Sequence, residues 1–119
     1  MDQERFTVEV ESVDGAVVLA LAGELDHDTA RPLRQALDAA ATPGGLLVVD
    51  LTNLGFCDSA GLNVLLQSRL AIKAADGILR VTGLRGAVAR MFHITGVDRV
   101  FDVYASVEEA LGHPEDTDT

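Results

Sequence analysis

Leu46-Leu47-Val48-Val49-Asp50-Leu51 lies between the turn Pro43-Gly44-Gly45 and the segment Thr52-Asn53-Leu54-Gly55-Phe56-Cys57-Asp58-Ser59-Ala60-Gly61-Leu62. An apolar run of this length after a glycine turn reads as a strand buried on both faces, the kind found inside a parallel sheet. A short loop is expected to follow it, and a helical pattern begins near the end of the segment. Asp58 suits the N-cap of that helix, because its carboxylate accepts from the unpaired N–H groups of a first turn. Ser59 is then the first helical residue, with its hydroxyl turned outward. A helix N-terminus beyond the carboxyl end of a sheet strand tolerates an anion. A phosphate group attached to Ser59 is therefore chemically acceptable at that position.

Upstream, Phe6-Thr7-Val8-Glu9-Val10 alternates apolar and polar residues, as a half-buried strand does. Asp14-Gly15 is a hairpin turn signal, and Ala16–Ala22 is a second, more apolar strand. Gly23-Glu24-Leu25-Asp26-His27-Asp28 reads as a polar loop. Thr29 is the expected N-cap of the next helix, which puts Pro32 third, where a missing N–H breaks no intrahelical bond. Leu33, Ala36, Leu37 and Ala40 form its apolar face.

Downstream, Leu62, Leu65, Leu66 and Leu70 form the expected core stripe of the Asp58 helix, and Val64 and Ile72 fall off it. Val64, close to Ser59, is assigned to a partner surface. Asp76-Gly77 ends this helix, and Ile78–Val81 is the next strand. A helix over Arg85–Thr95 buries Val88, Met91, Phe92 and Thr95 and stops at Gly96. Val100–Val103 is a short last strand. Ser106 and Glu109 fit a capping box, so a final helix runs to about Leu111. Residues 113–119 form a polar acidic tail. Strands alternating with helices imply right-handed crossovers and a mainly parallel sheet, made mixed by the opening hairpin. The expected architecture is a single α/β domain over residues 1–119, with its core at about 6–111 and about four helices.

Composition bounds the function. The chain has 119 residues, 48% of them hydrophobic, no Trp and a formal net charge of −10. That balance argues against nucleic acid and against anionic membrane surfaces as partners. No apolar run approaches the roughly 20 residues of a membrane span. Met1-Asp2-Gln3-Glu4 lacks the plan of a signal peptide, so a cytoplasmic location is expected. Cys57 is the single cysteine and reads as a small buried filler. His27, His93 and His113 are scattered and suggest no metal site.

Gly23-Glu24-Leu25-Asp26-His27-Asp28-Thr29-Ala30, together with Asp50-Leu51 through Asp58-Ser59-Ala60-Gly61-Leu62, resembles the bacterial anti-sigma factor antagonists of the STAS (sulfate transporter and anti-sigma antagonist) family. The resemblance runs from about Phe6 to Leu111, and Val88–Val97 is similar to the family's third helix. It implies a binding protein rather than an enzyme, with no cofactor of its own, ATP being used by a partner kinase. It implies that an anti-sigma factor, itself a protein-serine kinase, phosphorylates Ser59. The unmodified chain would bind that kinase and so free the sigma factor. Phosphorylation would end the binding, and a phosphoserine phosphatase would restore it. The implied docking face comprises Asp26, His27, Asp58, Ser59, Gly61, Leu62 and Val64, on a monomer or weak dimer. The chain departs from the pattern at Ala60, where many members carry Ser or Thr, and at Asn63 and Gln67, where many carry glycine.

Two other readings fit the sequence less well. A hydrolase nucleophile elbow wants glycine two residues before and two after its serine. Gly61 fits that pattern and Cys57 does not. The resemblance to STAS domains also implies an alternative, an unphosphorylated scaffold, as an accessory subunit of a lipid transporter or the cytosolic end of an anion transporter. Serine rather than threonine after Asp58 speaks against the first of these, and the lack of a membrane segment against the second.

Overall fold

The computed structural model describes residues 5–112; the expected acidic tail, with His113, lies outside them. The strands are β1 (Phe6–Val13), β2 (Ala16–Leu25), β3 (Leu46–Cys57), β4 (Ile78–Thr82) and β5 (Asp102–Tyr104). The helices are α1 (Ala30–Ala40), α2 (Ser59–Ala74), α3 (Gly86–Thr95) and α4 (Val107–Gly112), with a 3-10 turn at Val97–Arg99. The sheet order is β1-β2-β3-β4-β5, with β1 antiparallel to β2 and every other pair parallel. The mixed, mainly parallel α/β architecture is the one expected.

The hairpin closes as Asp14-Gly15 demands. Both residues have positive φ, 51° and 85°, between the paired Val13 and Ala16. That is the two-residue loop whose twist matches the flanking strands. Each parallel crossover leads to the adjacent strand, and crossovers of one hand place their helices on one face. Accordingly, Leu19, Leu21, Leu47, Val49, Leu51, Leu79 and Val81 pack with Leu33 and Leu37 of α1, Leu65 of α2, and Val88 and Phe92 of α3. Among the described residues, the helix packed on the opposite face is α4, through Val18, Val48 and Ala110.

Three expectations require correction. First, the segment after Leu51 is not a loop: β3 continues to Cys57 and β2 continues through Gly23-Glu24 to Leu25. Their register slips twice, Ala20 facing Asp50 but Ala22 facing Asn53, and Gly23 facing Leu54 but Glu24 facing Phe56. Each slip inserts one extra β3 residue, which is a bulge. Burial in this half of β3 therefore recurs every third residue, at Leu51, Leu54 and Cys57. A bulged strand breaks the period-two signal that marks a strand in sequence.

Second, α2 is turned from its expected face. Its buried residues are Gly61, Leu62, Val64, Leu65, Ser68 and Ile72, while Leu70 is 62% exposed. Apolar residues surround nearly the whole helix, so periodicity alone does not locate the core side. The neighbour that decides is α1, against which α2 packs along with the sheet. Third, the remaining ends shift slightly. Thr95 is exposed on α3, and the last strand begins at Asp102 because Val97–Arg99 winds into a 3-10 turn after Gly96, whose φ is 80°.

Candidate functional site at the carboxyl ends of β2 and β3

Leu25 and Cys57 are register partners at the ends of β2 and β3, so the chain leaves the sheet at one place along both strands. The two departing segments are tied together. The Asp58 N–H donates to the Leu25 carbonyl at 3.0 Å. Gly61 packs so closely on Leu25 that a Cβ there would lie 2.4 Å from Leu25 Cγ. The loop after β2 and the first turn of α2 are thus held side by side.

Asp58 caps α2 from an extended backbone. Its Oδ1 accepts from the Ala60 N–H at 2.9 Å and from the Gly61 N–H at 3.1 Å. Its own carbonyl accepts from Leu62 N–H at 3.0 Å. Ser59, the first helical residue, is exposed. Asp58 has therefore already taken two of the donors that a helix N-terminus offers an anion. Ser59 itself stands exposed at the surface.

Asp26 is bonded within its own loop. Its Oδ1 accepts from the N–H groups of Asp28 at 2.9 Å and Thr29 at 3.2 Å, and Arg5 binds its Oδ2. Arg5 also lies 3.7 Å from Glu24 and 3.9 Å from Asp28. Desolvation pushes the Asp26 carboxyl upward, but the two backbone N–H bonds, the Arg5 guanidinium and the Thr29 side chain outweigh it and hold the group below the usual carboxylate range. Thr29 does not cap α1 with its hydroxyl. That hydroxyl instead accepts from the Asp26 N–H at 2.8 Å and donates to the Glu24 carbonyl at 3.0 Å. Asp26 and Thr29 brace each other across the turn, an arrangement written in their three-residue spacing.

The docking-face residues divide by exposure. Ser59 and His27 are exposed, while Asp26 and Asp58 are half-buried. Gly61, Leu62 and Val64 are buried. For Val64 this overturns the outward placement: it belongs to the core. Sequence reasoning missed Phe56, which the second bulge leaves 45% exposed one residue before the end of β3. It also missed Arg5, whose pairing with Asp26 spans 21 residues and has no local signature. Gln67, one of the departures from the family pattern, accepts a bond from Arg34 of α1 and so links the two helices. Cys57 is buried, and burial with the neighbouring Asp58 carboxylate pushes its thiol up to about 12. His93 lies 3.1 Å from Asp98, far along the chain from this surface. Among the described residues, no helix is long and apolar enough to cross a membrane.

Known proteins resemble this arrangement over nearly its whole length. The family described as Mlab, STAS domain matches residues 8–107. An anti-sigma F factor antagonist from Paenibacillus polymyxa is 31% identical over 106 residues, covering 87% of this chain and 91% of that protein. The crystal structure of an anti-sigma factor antagonist from Mycobacterium paratuberculosis superposes with a TM-score of 0.83 at 33% identity, covering 93% of this chain and 95% of the other. The Bacillus cell fate determinant SpoIIAA in its phosphorylated form superposes with a TM-score of 0.67 at 25% identity, covering 88% of this chain and 96% of the other. With its sheet order, its Asp58-capped helix and these relatives in agreement, the chain belongs to the STAS domain family, among the anti-sigma factor antagonists.

Proposed function

We propose that this chain, unmodified, binds an anti-sigma factor that is a protein-serine kinase, and that phosphorylation of Ser59 switches the binding off. In the modifying step the Ser59 hydroxyl oxygen attacks the γ-phosphorus of ATP on the kinase. Its proton passes to a base of the kinase, ADP leaves, and a phosphoserine phosphatase later hydrolyses the ester. The observation that carries this reading is the position of Ser59, exposed at the first residue of α2 and flanked by the surface that Asp26 and Asp58 build. A relative solved in a phosphorylated form supports it.

Electrostatics supports a switch at the interface rather than in the fold. A phosphoserine carries about −1.5 to −2 charges near neutral pH. Here it would stand beside Asp58, whose carboxylate already holds the Ala60 and Gly61 N–H groups. A docking protein would have to desolvate that dianion together with the carboxylate, and buried unpaired charge is strongly unfavourable. Each roughly 1.4 kcal/mol of that cost lowers affinity tenfold.

The test is incubation with ATP and a candidate anti-sigma kinase, followed by mass spectrometry. One phosphate on Ser59, absent from Ser59→Ala, is the expected result. Phosphate on another residue, or undiminished labelling of Ser59→Ala, would refute the assignment. The scaffold reading, as a subunit of a lipid or anion transport system, instead requires partner binding that Ser59→Asp does not disturb.

A further inference from the structure

β1 lies at one end of the sheet, and among the described residues no strand pairs with its outer edge. The hairpin fixes which backbone groups face that edge. In a two-residue turn the flanking residues, here Val13 and Ala16, bond to each other. Antiparallel partners then alternate between bonded and unbonded pairs, so Glu11, Glu9 and Thr7 turn their N–H and C=O groups toward β2. Val8, Val10 and Ser12 turn theirs away from it.

An open edge is ordinarily blunted by proline, a bulge, a covering segment or charge. β1 contains no proline and keeps one register through eight consecutive pairs. Its side chains sort by face. Val8 and Val10 stand opposite Leu21 and Leu19, on the side that packs with α1, α2 and α3. Val8 joins that core, whereas Val10 is 61% exposed. Glu9 and Glu11 alternate with them on the other face, and both are exposed. The charge of the strand is therefore of one sign.

We propose that this edge accepts an extended segment of a basic partner protein as a sixth strand. An antiparallel segment bonds to Val8, Val10 and Ser12, sets lysine or arginine opposite Glu9 and Glu11, and covers Val10 with an apolar side chain. Charge complementarity selects this occupant over a second copy of the chain. Each copy carries a net charge of −10, and pairing two β1 strands about Val10 sets Glu9 of each against Glu11 of the other. Like charges directly opposite destabilise a strand pair. The edge is also distinct from the surface around Ser59. Val10 faces Leu19, six residues before Leu25 at the end of β2, roughly 20 Å at about 3.4 Å per residue. The proposal therefore stands or falls independently of the phosphorylation switch.

The test is titration of the full-length, 15N-labelled chain with a capped peptide of alternating lysine and valine, as long as β1, at about 0.15 M salt. Saturable amide shifts centred on β1 are expected. The amides of Val8, Val10 and Ser12 should gain protection from solvent exchange, while those of Glu9 and Glu11, already bonded to β2, should not change. A peptide of alternating glutamate and valine should bind at least tenfold more weakly. Val10→Pro removes one outward N–H and leaves the bonds to β2 in place, as proline does on an edge strand; it should abolish binding. Glu9→Gln combined with Glu11→Gln, which leaves the backbone untouched, should weaken binding about fivefold. The proposal is overturned by shifts that never saturate or that centre on other acidic residues such as Glu108 and Glu109. It is equally overturned by undiminished binding in Val10→Pro or in the double glutamine variant, by equal affinity for the glutamate peptide, or by protection of Val8, Val10 and Ser12 that rises with protein concentration alone, which would make the occupant a second copy.

Discussion

Gly61→Ala tests whether the two halves of the surface around Ser59 are mechanically one. A Cβ at this position would lie 2.4 Å from Leu25 Cγ, 2.7 Å from Leu25 Cδ2 and 3.3 Å from the Leu25 carbonyl oxygen. Leu25 is fully buried and its carbonyl holds the Asp58 N–H. It has no solvent to retreat into, so either its rotamer changes or β2 and α2 separate by several tenths of an ångström. Overpacking of this kind costs about 1–3 kcal/mol. The better helix propensity of alanine returns about 0.5–1 kcal/mol. With contacts as short as 2.4 Å on a fully buried side chain, the overpacking cost falls at the upper end of its range, about 2–3 kcal/mol, and a net loss of about 1–2 kcal/mol is expected. With a urea slope of roughly 1.5–2 kcal/mol/M, the unfolding midpoint should fall by about 0.5–1 M with the slope unchanged. The cause is checked by a double-mutant cycle. Trimming Leu25→Ala removes the colliding Cγ and Cδ2, so Gly61→Ala should cost markedly less in that background than in the wild type. A Gly61→Ala chain as stable as wild type would refute the reasoning. So would a loss that Leu25→Ala leaves untouched, which would place the strain elsewhere in the first turn.

Other outcomes follow from the same geometry. Ser59→Asp should keep the thermal midpoint within about 2 °C, since the site is exposed and changes there seldom exceed about 0.5 kcal/mol, while calorimetry should show binding to a cognate anti-sigma kinase weakened at least about tenfold; unchanged affinity would count against the switch. Cys57, with its thiol pushed from 9.0 up to about 12, should react with iodoacetamide at pH 8 about a thousandfold more slowly in the folded chain than in urea, and comparable rates would show that it is not sealed. The Asp26 carboxyl titrates below its unfolded value of 3.8, so its contribution to stability is complete above that pH and fades as pH falls through the folded value. Denaturation of wild type and Asp26→Asn should therefore differ at pH 6, with the gap narrowing as pH falls below 3.8; a constant gap would mean that the bonds to Asp28 and Thr29 do not depend on the charge.

The sequence disclosed those parts of the fold that local chemistry controls. Asp14-Gly15 admits one tight turn, Gly96 admits the left-handed conformation that ends α3, and Asp58 before a helical pattern admits a cap; all three stand where they were read. The capping box of α4 formed only in part: Ser106 Oγ accepts from the Glu109 N–H, but Glu109 reaches the N–H of Ala105. What stayed hidden was set by partners distant in sequence. Thr52 to Phe56 reads as a loop because two bulges change its repeat from two to three. The first bulge is supported by Asp50, which accepts from the Thr52 N–H at 3.0 Å and the Thr52 hydroxyl at 2.6 Å. Opposite them stands Gly83, where a Cβ would lie 2.3 Å from Thr52 Oγ1. No period computed along β3 alone contains Gly83.

The same limit bears on the candidate site. A helix that is apolar on most sides offers several stripes, and the stripe chosen from the leucines put Val64 outside and Leu70 inside. The packed arrangement reverses both, because α1 as well as the sheet must be covered. Under the proposed switch, the residues of this surface divide into two kinds. Gly61, Leu62 and Val64 are buried and hold the first turn of α2 against β2. A protein that docks there meets the exposed residues around them: His27 and Ser59, with Phe56 and Asn63 beside them. Substituting a buried member changes stability and affinity together. Under the proposed switch, substituting His27, Phe56 or Asn63 is expected to change affinity with little loss of stability, because their side chains are exposed. Partner choice among related chains is therefore expected to follow the exposed set. Asn63→Gly, which restores the smaller residue common in the family pattern, should alter affinity for a cognate kinase while lowering stability by about 1 kcal/mol at most, the cost of glycine within a helix. A larger loss of stability would mean that Asn63 supports the fold, and the division between framework and contact residues would fail at that position.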